Sequence, residues 1–338
     1  MCRRGVVREV PDSAASDRDV PARVGYAGAM RAPDLSDTSA STVDGVGTRT
    51  VWLARGALCL TTLLWSGNLV AGRALGGTVD PVTLNALRWL LALVLFLPFA
   101  GPRLMAQRRV LRRHAVLLIA LGLTGVVLFH VCVYSAMGHV PVANASLMVA
   151  TTPFFILAGS ALTGYRRLGL RDAAAVVLSL AGVAILLTDG HFGSLAAIRP
   201  GIGDLWMVGA VLSWAVYTLL LRALPADLPR DAVLAVTMLV GVVVMLPLWL
   251  GLGTTDLAGL PAAAWAGVVY VAVGASLVAY LFWSFGVDRL GPEAAGFFLN
   301  LMPVFGVILA WLLLGEAISL AQAAGAVAIM LAIGLRRG

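Results

Sequence analysis

Ten apolar runs, each about as long as the hydrocarbon core of a bilayer requires of a helix, fill the chain after residue 50, at about 53–74, 81–100, 115–137, 142–163, 170–188, 203–224, 231–252, 263–286, 293–314 and 319–335. With 60% hydrophobic residues, 12% charged residues and a mean hydropathy of +0.93, such a chain would aggregate as a soluble globule. In lipid every backbone N–H and C=O must be bonded within its own segment, so runs of this length fold as helices. The expected class is an all-α integral membrane protein with ten transmembrane helices.

These runs are not independent of one another. Trp65 to Leu75 reads WSGNLVAGRAL and Trp214 to Leu224 reads WAVYTLLLRAL, so a Trp and an Arg-Ala-Leu return at one spacing, 149 residues apart. The same offset carries Tyr134-Ser135 onto Trp283-Ser284 and Ala145 onto Ala294, while Pro153 and Pro303 match with a one-residue gap. Five runs per copy is an odd number, so the second copy enters the membrane from the opposite side. The chain therefore reads as two inverted five-helix repeats, 51–190 and 200–336, around a cavity near the midplane, an organisation that points to a transporter. Residues 1–50 mix Arg, Asp, Glu, Ser, Gly and Pro without apolar periodicity or a signal-peptide core, and read as a disordered cytoplasmic tail.

The basic residues, 24 in number and all Arg, supply the orientation. With a cytoplasmic N-terminus, one side collects Arg49, Arg55, Arg103, Arg108, Arg109, Arg112, Arg113, Arg166, Arg167, Arg171, Arg222, Arg230, Arg289, Arg336 and Arg337, and the other holds Arg73 and Arg199. This asymmetry obeys the positive-inside rule and expects a multi-pass protein of the cytoplasmic membrane with both termini in the cytoplasm. The net charge of +7 is then a topology signal; no nucleic-acid partner is expected. Cys2, Cys59 and Cys132 show no paired spacing, and His114, His130, His139 and His191 no metal spacing, so neither a disulfide framework, a metal site nor a cofactor is expected.

Trp65-Ser66-Gly67-Asn68 in the first run, Asn85-Ala86-Leu87-Arg88 in the second, Trp214-Ala215-Val216-Tyr217 in the sixth, and Pro303 followed by Leu314-Gly315-Glu316 closing the ninth appear in this order within ten runs arranged five and five. In this the chain resembles the EamA-like members of the drug/metabolite transporter superfamily, over about residues 53–335. The resemblance implies a carrier of metabolites or drugs, commonly an exporter. It departs from the pattern where the first-half counterpart of Gly315-Glu316 is Gly164-Tyr165, and it lacks the span-one Glu of the short multidrug exporters, so proton antiport by that device is not expected.

Candidate substrate contacts are the deeper polar and aromatic residues. Arg88, about eight residues into the second run, costs about 3 kcal/mol to insert; it is either an anion anchor facing a cavity or an Arg that pins two helices. His130 lies deep in the third run and is a candidate proton carrier or a hydrogen-bonded packing residue. Trp65, Asn68, Tyr134, Thr152, Trp214, Tyr217, Tyr280, Trp283 and Asn300 complete the candidate cavity, apolar walls with few polar groups as small-molecule sites have. Pro153 and Pro303 should break the fourth and ninth spans at matched depth, freeing carbonyls beside the site. Glu293 reads as a first-turn residue and Glu316 as a helix-capping one.

The function expected from these features is a secondary transporter moving a small organic metabolite or drug by alternating access, its partners being that solute and the lipid bilayer. A lipid or glycolipid flippase of the same architecture is the alternative. An intramembrane enzyme is a weaker one, since no GxSxG, HExxH or clustered Asp/His occurs within the spans.

Overall fold

The computed structural model describes residues 48–75, 77–137, 139, 147–165, 167–193, 201–225, 228–314 and 317–335. Residues 1–47, Glu316 and the Tyr134 side chain lie outside the described residues. Among those described, every regular element is helical. In order these are α1 (Thr48–Leu75), α2 (Pro81–Ala106), α3 (Arg108–Arg113), α4 (Ala115–Gly122), α5 (Phe129–Met137), α6 (Thr152–Leu162), α7 (Leu170–Thr188), α8 (Ile202–Arg222), α9 (Arg230–Leu252), α10 (Ala262–Tyr270), α11 (Ala279–Leu290), α12 (Pro292–Phe298), α13 (Leu301–Leu314) and α14 (Leu320–Leu335). Among the described residues, seven helical stretches are long and apolar enough to cross a membrane: Pro81–Ala106, Ala115–Val133, Leu170–Thr188, Ile202–Arg222, Arg230–Leu252, Ala262–Leu290 and Pro292–Leu309. Leu147–Leu162 and Leu320–Leu335 are shorter apolar helices, and α1, 28 residues long, carries Thr61, Thr62, Ser66 and Asn68 along its length.

Helix ends follow from local chemistry. Asp80 caps α2 by accepting from the N–H groups of Val82 and Thr83, with Pro81 in the first turn where its missing N–H costs nothing. Asp172 and Asp204 reach back to the N–H groups of Gly169 and Gly201 at the starts of α7 and α8, at 2.9 and 2.7 Å. The helix α7 ends with Asp189 and Gly190 at positive φ, 51° and 76°.

Two irregularities recur at matched positions. π-helical stretches join α4 to α5 over Leu123–Leu128 and α10 to α11 over Val271–Val278. Breaks at Thr151 and at Leu299–Asn300 precede Pro153 and Pro303, which therefore lie just inside α6 and α13. The break falls on the N-terminal side of each proline because the ring removes an N–H and collides with the carbonyl four residues earlier. In the fourth run Thr151 and Thr152 hydroxyls cap the carbonyls of Met148 and Val149 at 2.6 and 2.5 Å.

Packing repeats as well. The helix α1 packs on α11 and α13; its counterpart α8 packs on α5 and α6, the elements 149 residues before those two. The counterparts α2 and α9 pack on each other, and so do α7 and α14. The last pair crosses closely, since a Cβ on Gly182 would meet the Gly325 carbonyl at 2.8 Å and a Cβ on Gly325 the Gly182 carbonyl at 2.6 Å.

Candidate functional site

Where α1, α8 and α11 meet, Trp65, Trp214, Tyr280 and Trp283 form one buried aromatic cluster. Trp65 and Trp214, the residues that open the two repeated strings, touch edge to face with ring centroids 5.1 Å apart. Trp283 lies 5.5 Å from Trp65 and 5.7 Å from Trp214, and Tyr280 5.8 and 5.6 Å from the same pair. Tyr217 adds a further ring at 5.1 Å from Trp214. It fits there because Gly125 has no side chain; a Cβ would come within 2.4 Å of the Tyr217 ring.

The cluster continues toward α2. Tyr280 meets Trp89 at 5.1 Å, Trp89 meets His130 at 5.6 Å, and Phe129 bridges His130 and Trp214. Arg88 sits beside Trp89, its guanidinium 5.3 Å from that ring, with Nε donating to Ser276 Oγ at 2.8 Å. Ser276 in turn donates to the Val271 carbonyl inside the second π-helical stretch. Arg88 is 3% exposed and, among the described residues, lies within ion-pair distance of no carboxylate. A buried cation balanced by a hydroxyl and a ring face is short of negative charge.

Hydrogen bonding divides the tryptophans. Trp65 Nε1 donates to the Ala275 carbonyl at 2.9 Å, whereas the Nε1–H groups of Trp89, Trp214 and Trp283 are buried without an acceptor among the described residues. Each such donor costs about 1–3 kcal/mol while unsatisfied. Three of them converge on one cluster.

The remaining expected residues are not part of this aromatic cluster. Thr152 and Asn300 serve the helix breaks: Thr152 as described above, and Asn300 by donating to Ser179 of α7 at 2.5 Å, its Oδ1 being buried without a partner among the described residues. Asn68 is half-buried on α1. Sequence reasoning missed Trp89, Phe129 and Ser276. Trp89 was within reach, because it shares the depth of the Arg88 it follows; Ser276 was not, being 188 residues from its partner.

The two ends of the bundle are tied separately. The Asp80 carboxylate accepts from Thr83 Oγ1, from Thr255 Oγ1 and from the N–H groups of Thr254 and Thr255, joining the start of α2 to the segment after α9. Partial burial alone would raise its pKa; the hydrogen bonds from Thr83, Thr255 and Thr254 outweigh that and hold the carboxyl well below the usual carboxylate range. At the far end Arg103 pairs with Asp231, Arg230 with Asp288, and Arg222 with the buried Glu293 at 3.0 Å. The Arg222 guanidinium also lies 4.7 Å from the Tyr165 ring.

Residues 53–188 and 201–336 each match the model of the EamA-like transporter family. A probable terminal-alkyne amino-acid exporter of Streptantibioticus cattleyicolor is 27% identical over 79% of this chain and 86% of its own. A probable amino-acid metabolite efflux pump of Salmonella typhimurium is 26% identical over 80% and 90%, and a transporter of Archaeoglobus fulgidus 26% over 77% and 88%. A crystal structure with a TM-score of 0.67 and 22% identity, covering 86% of this chain and 96% of that one, shares the fold.

Proposed function

The chain belongs to the EamA-like transporter family and is a multi-pass membrane transporter, and we propose that it is a secondary carrier exporting a small organic metabolite across the cytoplasmic membrane by alternating access. In this reading the shorter apolar helices and α1 complete ten spans, residues 51–190 and 200–336 form inverted repeats, residues 1–50 are a cytoplasmic tail, and both termini face the cytoplasm as the Arg distribution requires. The observation that carries the proposal is the contact between Trp65 and Trp214, which puts the twin residues of the two copies against each other in the core. A site formed that way is uncovered from one side or the other as the copies rock.

The substrate meets Trp65, Trp214, Tyr217, Tyr280 and Trp283, with Arg88 as the counter-charge for an anionic group such as a carboxylate and His130 beside it. Tyr134, Asn68, Thr152 and Asn300 belong to the same proposed cavity, the last two at the breaks before Pro153 and Pro303. The names of the relatives from Streptantibioticus cattleyicolor and Salmonella typhimurium support an amino-acid-like solute and outward transport.

Two measurements test this. Metabolite profiling of medium and cells with and without the gene should reveal a solute retained in cells lacking it, and that solute should show counterflow in proteoliposomes; no counterflow overturns the carrier reading. Arg88→Ala should abolish transport with the protein still inserted and monodisperse, and normal transport by that variant removes Arg88 from the site.

A further inference from the structure

The twin tryptophans occupy equivalent positions and are treated differently. Trp65 donates to the Ala275 carbonyl in the second π-helical stretch. The 149-residue offset carries Ala275 back to Val126, in the first π-helical stretch, so Val126 is where Trp214 would find its acceptor. That carbonyl already accepts a side-chain donor: His130 Nδ1 lies 2.8 Å from it, and since a carbonyl only accepts, Nδ1 carries the proton. The two preceding carbonyls are also occupied, Gly125 by Tyr280 Oη and Thr124 by Ser213 Oγ, each at 2.8 Å. Ser213 immediately precedes Trp214, so the covered stretch is the one α8 lies against. The residue corresponding to His130 in the second half is Ala279, which has nothing with which to compete for Ala275.

We infer that Trp214 is a substrate-binding hydrogen-bond donor and that His130 is a positioning residue that keeps it available by holding the Val126 carbonyl. Trp214 is 4% exposed, and among the described residues its N–H has no acceptor, nor does that of Trp283 beside it. The pair of indole N–H groups calls for a ligand atom that accepts, a carboxylate or carbonyl oxygen. A donor left without a partner in the core binds such an atom more selectively than one already bonded, because no internal bond has to be exchanged for it. This inference rests on the carrier reading and deepens it by naming the group on the substrate that the aromatic cluster recognises.

The test uses the full chain in lipid nanodiscs with indole-15N tryptophan, signals being assigned by single Trp→Phe substitutions. The Trp214 N–H proton should resonate upfield of the bonded Trp65 signal. His130→Ala should move it downfield as Val126 becomes free, and His130→Gln, whose amide can bond the same carbonyl, should restore it; His130→Leu replaces His130→Ala should the latter misfold. A Trp214 signal already downfield, or unmoved in both apolar variants, overturns the positioning role. Benzoate, which only accepts, should shift the Trp214 and Trp283 signals, and benzylammonium, which only donates, should not. The benzoate concentration giving half the Trp283 shift should rise about tenfold in Trp214→Phe and in His130→Ala, with the double variant no worse than either. Additive effects, a response to benzylammonium alone, or no response to either probe from protein that retains counterflow overturn the Trp214 assignment while the carrier reading stands. Loss of all counterflow in the unmodified chain overturns that reading itself.

Discussion

At one end of the antiparallel pair formed by α2 and α9, a single carboxylate gathers its partners from neutral groups; at the other, charges meet charges in the open. Asp80 accepts from two hydroxyls and four backbone N–H groups, those of Val82, Thr83, Thr254 and Thr255. The Arg103 side chain, 65% exposed, reaches Asp231. A carboxylate held by short, oriented N–H and O–H donors is insensitive to salt and stays ionised. An exposed ion pair is screened and contributes roughly 0–1 kcal/mol. Under the proposed export by alternating access the Asp80 end would face outward, and this stiffer closure would be the one that release of substrate has to undo.

The largest expected effect is therefore at Asp80. Asp80→Ala removes the cap of α2 and the tie to the segment after α9, and should lower stability by about 2–4 kcal/mol, read by thermal unfolding in detergent. Thr255→Val removes one hydroxyl, leaves the cap, and should cost about 1 kcal/mol. The pH dependence has a definite sign. The folded pKa of Asp80 is depressed, so its contribution is complete above the unfolded value of about 4 and drains away as the pH falls further. The stability difference between the unmodified protein and Asp80→Ala should be constant from about pH 6 to 8 and narrow below about pH 4.

Much of the frame that supports these ends is visible in the chain itself. Apolar length gives the long helices, the 149-residue offset singles out Trp65 and Trp214, and Pro153 and Pro303 mark the two breaks. What stays hidden depends on distance or on register. Asp80 and Thr255, and Arg88 and Ser276, are separated by 175 and 188 residues, so no local spacing links them. The π-helical stretches look like ordinary apolar helix in composition, yet they turn the Gly125, Val126 and Ala275 carbonyls toward side chains. Glu293 is a first-turn residue of α12 as its place after Pro292 suggests, but its pairing with Arg222 needs α8 alongside.

That pairing is the intermediate case between the two ends. Glu293 is buried and Arg222 half-exposed, so Arg222→Ala leaves a desolvated carboxylate with its counter-charge gone, and also strips the cation from the Tyr165 ring. A loss of about 1–3 kcal/mol is expected, less than at Asp80. The cycle of Arg222→Ala with Glu293→Gln should show coupling, because the second change removes the charge the first has stranded. Independent effects would mean that the pair is incidental.

The smallest effect should come from Arg103→Ala, and its size decides whether the two ends differ in kind. If the Arg103–Asp231 contact is an ordinary exposed ion pair, the change costs below about 1 kcal/mol, and raising the salt from about 0.05 to 0.5 M should bring the unmodified protein and the variant together as the Debye length contracts from over 10 Å to under 5 Å. Thermal unfolding of both proteins across that range, with Asp80→Ala alongside, gives the comparison directly. A difference that persists for Asp80→Ala and vanishes for Arg103→Ala separates an oriented hydrogen-bonded latch from a screened charge contact. An Arg103→Ala effect as large as that of Asp80→Ala and equally indifferent to salt would make the ends equivalent, and the asymmetry of closure would then have to come from the helices between them.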